Sequence, residues 1–240
     1  MQSSDYLFHY TCSLENLTSI IEGGIWVNRS IEDVSFLKEQ FDFAIEPLFE
    51  SEVDNGRQNE NYELSVPMAC FCDIPKGNTK QHREKYGKYA IGFEKEWGIK
   101  KGINPVTYLT PESDYAAAIR KLNILTAGIE KYDSNYDIRN SLFKIVCFLK
   151  LYEDEKFRYY DEREWRYIPK GDRVQIAPPQ LLHDQAEDSE GVIDFSIEEV
   201  RYIIVNNEDE EADLKSDLAE MKYDIEKYDG IELTSFEELE

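Results

Sequence analysis

Histidine, paired metal-binding cysteines and long apolar runs are scarce or missing in this 240-residue sequence. Its three histidines, His9, His82 and His183, argue against a histidine-rich metal centre. The four cysteines, Cys12, Cys70, Cys72 and Cys147, contain no C-x-x-C pair, so no zinc site is expected and no metal is assigned. No stretch reaches the roughly 20 apolar residues that a membrane span needs, so no membrane partner is expected. The start, Met1-Gln2-Ser3-Ser4-Asp5, lacks a basic region followed by an apolar run. Without that secretion signal, a cytoplasmic protein with reduced thiols is expected. Absent too are a Walker loop, G-x-G-x-x-G, H-E-x-x-H and G-x-S-x-G, the short motifs of several large enzyme classes. Basic residues are also short: 27 against 50 acidic, for a net charge of −23.

That surplus is uneven. Residues 184–240 hold 21 acidic and 4 basic side chains, a net of −17 that leaves −6 for the rest. So negative a field repels nucleic-acid phosphates at long range, making nucleic acid an unfavoured partner and a basic protein surface a favoured one. A plainer reading is that acidic helices keep the protein in solution. With 41% hydrophobic residues, 16 Tyr and 12 Phe, the chain can fill a sizeable core. No Pro/Gly/Ser-rich linker divides it and no repeat is visible. One α+β domain over 1–240 is expected, with 184–240 an acidic C-terminal portion.

Along the chain, 6–11 reads as a strand, and Ser13 as the cap of a helix carrying Leu14, Leu17, Ile20 and Ile21. Gly23-Gly24 stops that helix before a short strand at Ile25-Trp26-Val27. The apolar spacing within 30–64 suggests one or two helices followed by an exposed loop over 51–63. Strands are expected at 66–74, 90–93, 105–109, 163–168 and 200–205. Helical stretches are expected over 94–99, 112–131, 137–152 and 209–227, the last with Leu214, Leu218 and Met221 on one side. Strands separated by helices of unequal length indicate a mixed α+β fold.

Three polar constellations could carry chemistry. In the first strand His9 and Thr11 point one way and Tyr10 the other. The first two could hydrogen-bond a ribose or an amide, or His9 could simply be satisfied by neighbouring backbone. In Glu162-Arg163-Glu164-Trp165-Arg166-Tyr167, a strand places Glu162, Glu164 and Arg166 on one face. Held between a carboxylate and a guanidinium, Glu164 could stabilise a ribosyl cation. The alternative is a solvated charge ladder at a sheet edge. His82, Tyr86, Gly87 and Tyr89 form the third group, in which a tyrosine could stack on a flat ring or serve only as core.

Several of these segments together resemble a known family. Leu7-Phe8-His9-Tyr10-Thr11, Pro67-Met68-Ala69-Cys70-Phe71-Cys72-Asp73-Ile74-Pro75 and Tyr86-Gly87-Lys88-Tyr89-Ala90-Ile91-Gly92-Phe93 look like the AbiGi proteins of abortive phage-infection systems. Glu96-Trp97-Gly98-Ile99, Asn104-Pro105-Val106 and Tyr160 to Tyr167 continue the likeness in order, over roughly 6–170. It implies an antitoxin-like partner of a nucleotidyltransferase-type toxin in antiviral defence. A more distant resemblance is to the DarT-like ADP-ribosyltransferases, which implies an ADP-ribosyltransferase-like split sheet with surrounding helices and NAD as cofactor. Carried across, Glu164 and His9 would be catalytic, and His9, Tyr10, Thr11, Tyr86 and Tyr89 would hold NAD. Arg29 and Arg57 match the early arginine of such enzymes by position only. Two functions stand as expectations: ADP-ribosyl transfer, or non-catalytic neutralisation of a basic toxin. Both need the polar strand segments; the first also needs His9 and Glu164 to face one hollow.

Overall fold

The computed structural model of the chain describes residues 3–37, 63–75, 80–127, 136–170 and 191–239, the last interval without 222, 224–227 and 229. Aromatic-rich β1 (Tyr6–Thr11) opens the fold, and α1 (Leu14–Gly23) follows. Ser13 accepts a hydrogen bond from the Asn16 backbone N–H, filling one of the orphan donors at the helix start. Gly24, at φ 89°, ends the helix; a Cβ there would strike Val192 and the Ile193 carbonyl. The chain then runs through β2 (Ile25–Trp26) and β3 (Asn28–Asp33). β3 is a strand the sequence reading does not anticipate. Its pattern, Asn-Arg-Ser-Ile-Glu-Asp, is too polar to announce a strand, and pairing with β4 (Glu63–Cys72) is what extends it. The helix and loop readings over 38–62 fall outside the described residues.

After β4 come α2 (Lys80–Tyr86), β5 (Tyr89–Glu94), α3 (Lys95–Lys101), β6 (Asn104–Pro105) and β7 (Thr107–Leu109). Two packed helices follow, α4 (Asp114–Ala127) and α5 (Tyr136–Val146). The second ends earlier than its periodicity suggests, because Leu149–Leu151 forms β8, parallel to β7. The remaining elements are β9 (Glu164–Tyr167), β10 (Val192–Ile193), β11 (Val200–Val205), α6 (Glu208–Glu220), β12 (Glu232–Ser235) and α7 (Phe236–Leu239). The acidic helix thus stops before the expected residue 227, with Leu214 and Leu218 buried.

The main sheet runs β12-β11-β5-β1-β4-β9-β6, with β3 also on β4. Only β11 and β12 are parallel within it, so the architecture is mixed α+β. One face packs Leu7, Ile91, Phe93 and Trp97 against α1 and α6 through Leu17, Ile20, Leu214 and Leu218. The opposite face packs Phe8, Cys72 and Ala90 with Ile204 and Phe236. A third cluster joins Val34 and Phe36, just after β3, and the start of β4 to Ala116, Ile119, Val146 and Leu149. β1 meets β4 only where Phe8 lies opposite Cys72, whereas β5 follows β1 over its full length. Beyond that contact β1 and β4 diverge, and the polar site lies on β4's far side. Among the described residues, no helix is long and apolar enough to cross a membrane.

Candidate functional site

β9 sets the site. Glu164 lies opposite Cys72 and Arg166 opposite Cys70, so both side chains leave the sheet on the Phe8 side, while Trp165 and Tyr167 pack on the other. Arg166 is fully buried. Its Nε donates to Glu164 Oε1 at 2.5 Å, its Nη2 to Glu32 Oε2 at 2.7 Å, and its Nη1 to the Cys147 carbonyl at 2.7 Å. Lys150, central in β8, bridges the two carboxylates: Nζ lies 2.7 Å from Glu162 Oε2 and 2.5 Å from Glu164 Oε2. Glu162 also accepts from Lys85 at 2.5 Å and from the Tyr86 hydroxyl. The Tyr108 hydroxyl accepts the Glu164 backbone N–H at 2.8 Å.

Two carboxylates so close reach the same lysine through an unusual backbone. Glu162 ends a 3-10 turn (Tyr159–Glu162), and Arg163 adopts the left-handed conformation, φ 46° and ψ 48°. It is the only positive-φ residue other than glycine among those described. Such a conformation costs roughly 1 kcal/mol or more for a residue with a Cβ. It turns the chain so that Glu162, from the turn, and Glu164, from the strand, aim at one ammonium.

The electrostatics follow from this packing. Burial opposes the charge on Glu164, but Arg166 and Lys150 outweigh it and bring its carboxyl down to about 2. Glu162 is likewise lowered, with Lys150, Lys85 and Tyr86 overcoming burial. Lys150 is raised, because Glu164 and Glu162 outweigh its own desolvation. Three acids (Glu32, Glu162, Glu164) thus meet three bases (Lys85, Lys150, Arg166) in one linked network. Its formal charge sums to zero. At the outer end Lys85, 42% exposed at its side chain, lies 4.2 Å from the Phe157 ring centre and 5.0 Å from that of Tyr86. His82 fits between Tyr10 and Tyr86, at 4.8 and 4.5 Å between ring centres, and burial pulls its imidazole down to about 4.

The sequence-expected set does not assemble as one pocket. Glu164, Tyr86 and Tyr10 belong to the side just described. His9 lies opposite Ile91 and Thr11 opposite Tyr89, one residue out of phase with Phe8, so these three point to the other face. The His9 ring packs on Phe71, whose strand partner is Trp165 rather than Glu164. Its Nδ1 donates to the Cys70 carbonyl at 2.8 Å, across the place where β1 and β4 part, and burial lowers its pKa. Thr11 is buried, and Tyr89 donates to Glu210 of α6 at 3.0 Å. The expectation that His9 and Glu164 share a hollow is therefore corrected by strand register: positions of opposite parity leave a sheet on opposite sides. The solvated charge ladder is corrected as well, since Glu162, Glu164 and Arg166 are buried. Arg29 sits in β3 opposite Pro67, while Arg57 and His183 lie outside the described residues. Among the described residues no group of three or more His, Cys, Asp or Glu is placed to hold a metal.

Lys150, Lys85, Glu32 and Tyr108 were not singled out from sequence. Leu149-Lys150-Leu151 does carry a signal, a strand-like alternation with lysine on the outward phase, but it was absorbed into the expected helix. Glu32 has no local signal at all; only the β3–β4 pairing brings it to Arg166.

Residues 48–206 match the family described as "Putative abortive phage resistance protein AbiGi, antitoxin". A protein of Lactococcus lactis subsp. cremoris described as "Abortive phage resistance protein AbiGi" is 30% identical over 184 residues, covering 60% of this chain and 73% of its own length. No solved structure matches the chain. Of the six network charges, all but Glu32 fall inside the matched interval, and His9 falls before it.

Proposed function

The chain belongs to the AbiGi family and is a component of abortive phage resistance; from that premise we propose that it works as a non-catalytic antitoxin, binding and neutralising a nucleotidyltransferase-type toxin. The observation that supports this reading is the closed charge balance around Glu164. A catalytic carboxylate must spend its charge on substrate in the transition state. Here both carboxylates are already engaged by Lys85, Lys150 and Arg166, so the network ties β3, α2, β8 and β9 together as a rigid scaffold. The acidic surface supplies the means of binding. α6 exposes Asp209, Asp213, Asp217 and Glu220, with Lys215 its one lysine, and a surface of one sign attracts a partner of the other. The nucleotidyltransferase-type nature of the toxin rests on the family resemblance.

A second reading, NAD-dependent ADP-ribosyl transfer, is favoured by one observation: Lys150 joins Glu164 to Glu162, which holds Tyr86, beside the half-buried rings of Phe157 and Tyr159. Growth separates the two. Expressed alone, an antitoxin is harmless, and it restores growth to cells producing the toxin encoded beside it. A chain that arrests growth by itself, is made harmless by Glu164→Gln, and melts higher in millimolar NAD is an enzyme instead.

A further inference from the structure

The end of α1 is electrostatically unbalanced. A helix C-terminus carries about half a negative charge on its last carbonyls and ordinarily gains from a nearby Lys or Arg. The last turn of α1 contains no basic residue, and Glu22 stands there instead. Gly23 and Gly24 continue into a hollow of about 320 Å³ whose far wall carries Asp194 and Glu198. Among the described residues that line it, none is basic. Among the described residues no ion pair joins Glu22, Asp194 or Glu198 to a lysine or arginine. Lys101 and Arg201 come near, but they donate to the backbone carbonyls of Asp194 and Glu198, and the Arg201 Nε turns to Glu94. The Glu198 carboxylate is held below its usual range by its own backbone N–H and by Ser196.

The hollow also has aromatic walls. Phe195, Tyr223 and Tyr228 line it and rest on the main core. Carboxylates, a helix C-terminus and ring faces all favour one kind of occupant, a cation with an apolar stem. The β2–β10 ribbon, which follows Gly24 and precedes Asp194 in the chain, leaves Trp26, opposite Val192, 47% exposed, a residue type enriched at the energetic centres of interfaces. α1, whose end forms one wall of the hollow, packs on the acidic helix α6.

We infer that this hollow receives an arginine or lysine side chain of a protein partner, which in the antitoxin reading, on which this inference rests, is the toxin. The space suits one long basic side chain, and its arrival relieves the repulsion among Glu22, Asp194, Glu198 and the helix end. Desolvating this acid set without a cation is unfavourable, so the site also rejects acidic surfaces.

The probe is N-acetyl-arginine methylamide, followed by amide NMR shifts, with the uncharged isostere N-acetyl-citrulline methylamide beside it. Arginine is expected to shift Gly23, Gly24 and Ser196, citrulline is not, and the shifts vanish in Glu22→Gln/Asp194→Asn/Glu198→Gln. A control losing equal charge at exposed acids outside the hollow, Glu112→Gln/Glu153→Gln/Glu155→Gln, retains them. Equal shifts with citrulline, shifts confined to α6, or no shifts at all overturn the inference. In the growth assay the hollow variant is expected to rescue about tenfold less well than the equal-charge control, as when one member of an interfacial charge pair is removed. Equal rescue by the two variants overturns the hollow and leaves the antitoxin reading standing. A wild-type chain that fails to rescue overturns the antitoxin reading, and the arginine titration alone then judges the hollow.

Discussion

Arg166 is the residue on which the interior depends. A guanidinium with no exposure survives only because Glu164 and Glu32 neutralise it and the Cys147 carbonyl takes a further hydrogen. Glu164→Gln removes one charge from a balanced set and leaves Arg166 and Lys150 in excess. Urea denaturation should show a loss of about 3 kcal/mol, the usual scale for breaking a buried pair from one side. The same variant should change the acid limb of stability. The Glu164 pKa falls from 4.5 to about 2 on folding, so its contribution is complete above about 4.5 and is lost as pH drops toward 2. His82 acts in a higher window. Its pKa falls from 6.5 to about 4 on folding, the unfolded chain therefore binds more protons between those values, and stability declines as pH falls through them. Urea midpoints measured from pH 7 to pH 3 should fall in both windows for the wild type, and Glu164→Gln should fall less in the lower one, where Glu162 still contributes. A midpoint profile identical for the two proteins below pH 4.5 contradicts the assignment.

At the scale of elements, the turn from α2 into β5 holds Tyr86 on Glu162. Gly87 makes that turn at φ 119°, and a Cβ there would lie 2.0 Å from the Thr11 carbonyl oxygen. Gly87→Ala should therefore cost about 2 kcal/mol and displace the tyrosine, read as a lower Tm and altered near-ultraviolet tyrosine dichroism. Unchanged values on both counts exclude this role for the turn. Elements with strong local signals were legible from sequence: β1 by its aromatics, α1 by Ser13 and Gly24, β5 and β11 by buried runs, and α6 by an acidic run carrying Leu214 and Leu218 on one side. β3 and β8 were not, because each is short and takes its extended shape from a distant partner. The candidate site divided along the same line. The shared face of Glu164 and Arg166 follows from alternation within one strand, and was readable. The neighbours that neutralise them come from β3, α2 and β8, and no local pattern in Glu32, Lys85 or Lys150 states which carboxylate each will meet. Parity within β1 was readable too, but the phase of β1 against β9 depends on Phe8 meeting Cys72 and Cys72 meeting Glu164, a register that exists only in the assembled sheet.

For the molecule as a whole, charge is segregated by depth. Inside, acids and bases cancel one for one around Lys150 and Arg166; outside, α6 exposes Asp209, Asp213, Asp217 and Glu220, within the part of the sequence that carries most of the net −23. The interior network holds the scaffold and the exterior acidity meets the partner, so the two can be changed separately. Attraction between exposed charges is screened by salt, with a Debye length near 10 Å at 0.1 M. The most direct measurement is a calorimetric titration of the purified neighbouring toxin with this chain at several salt concentrations. The account predicts a stoichiometric complex without NAD, with an affinity that falls steeply as salt rises from about 0.05 to 0.5 M. No binding at low salt, together with NAD consumption by the chain alone, contradicts it.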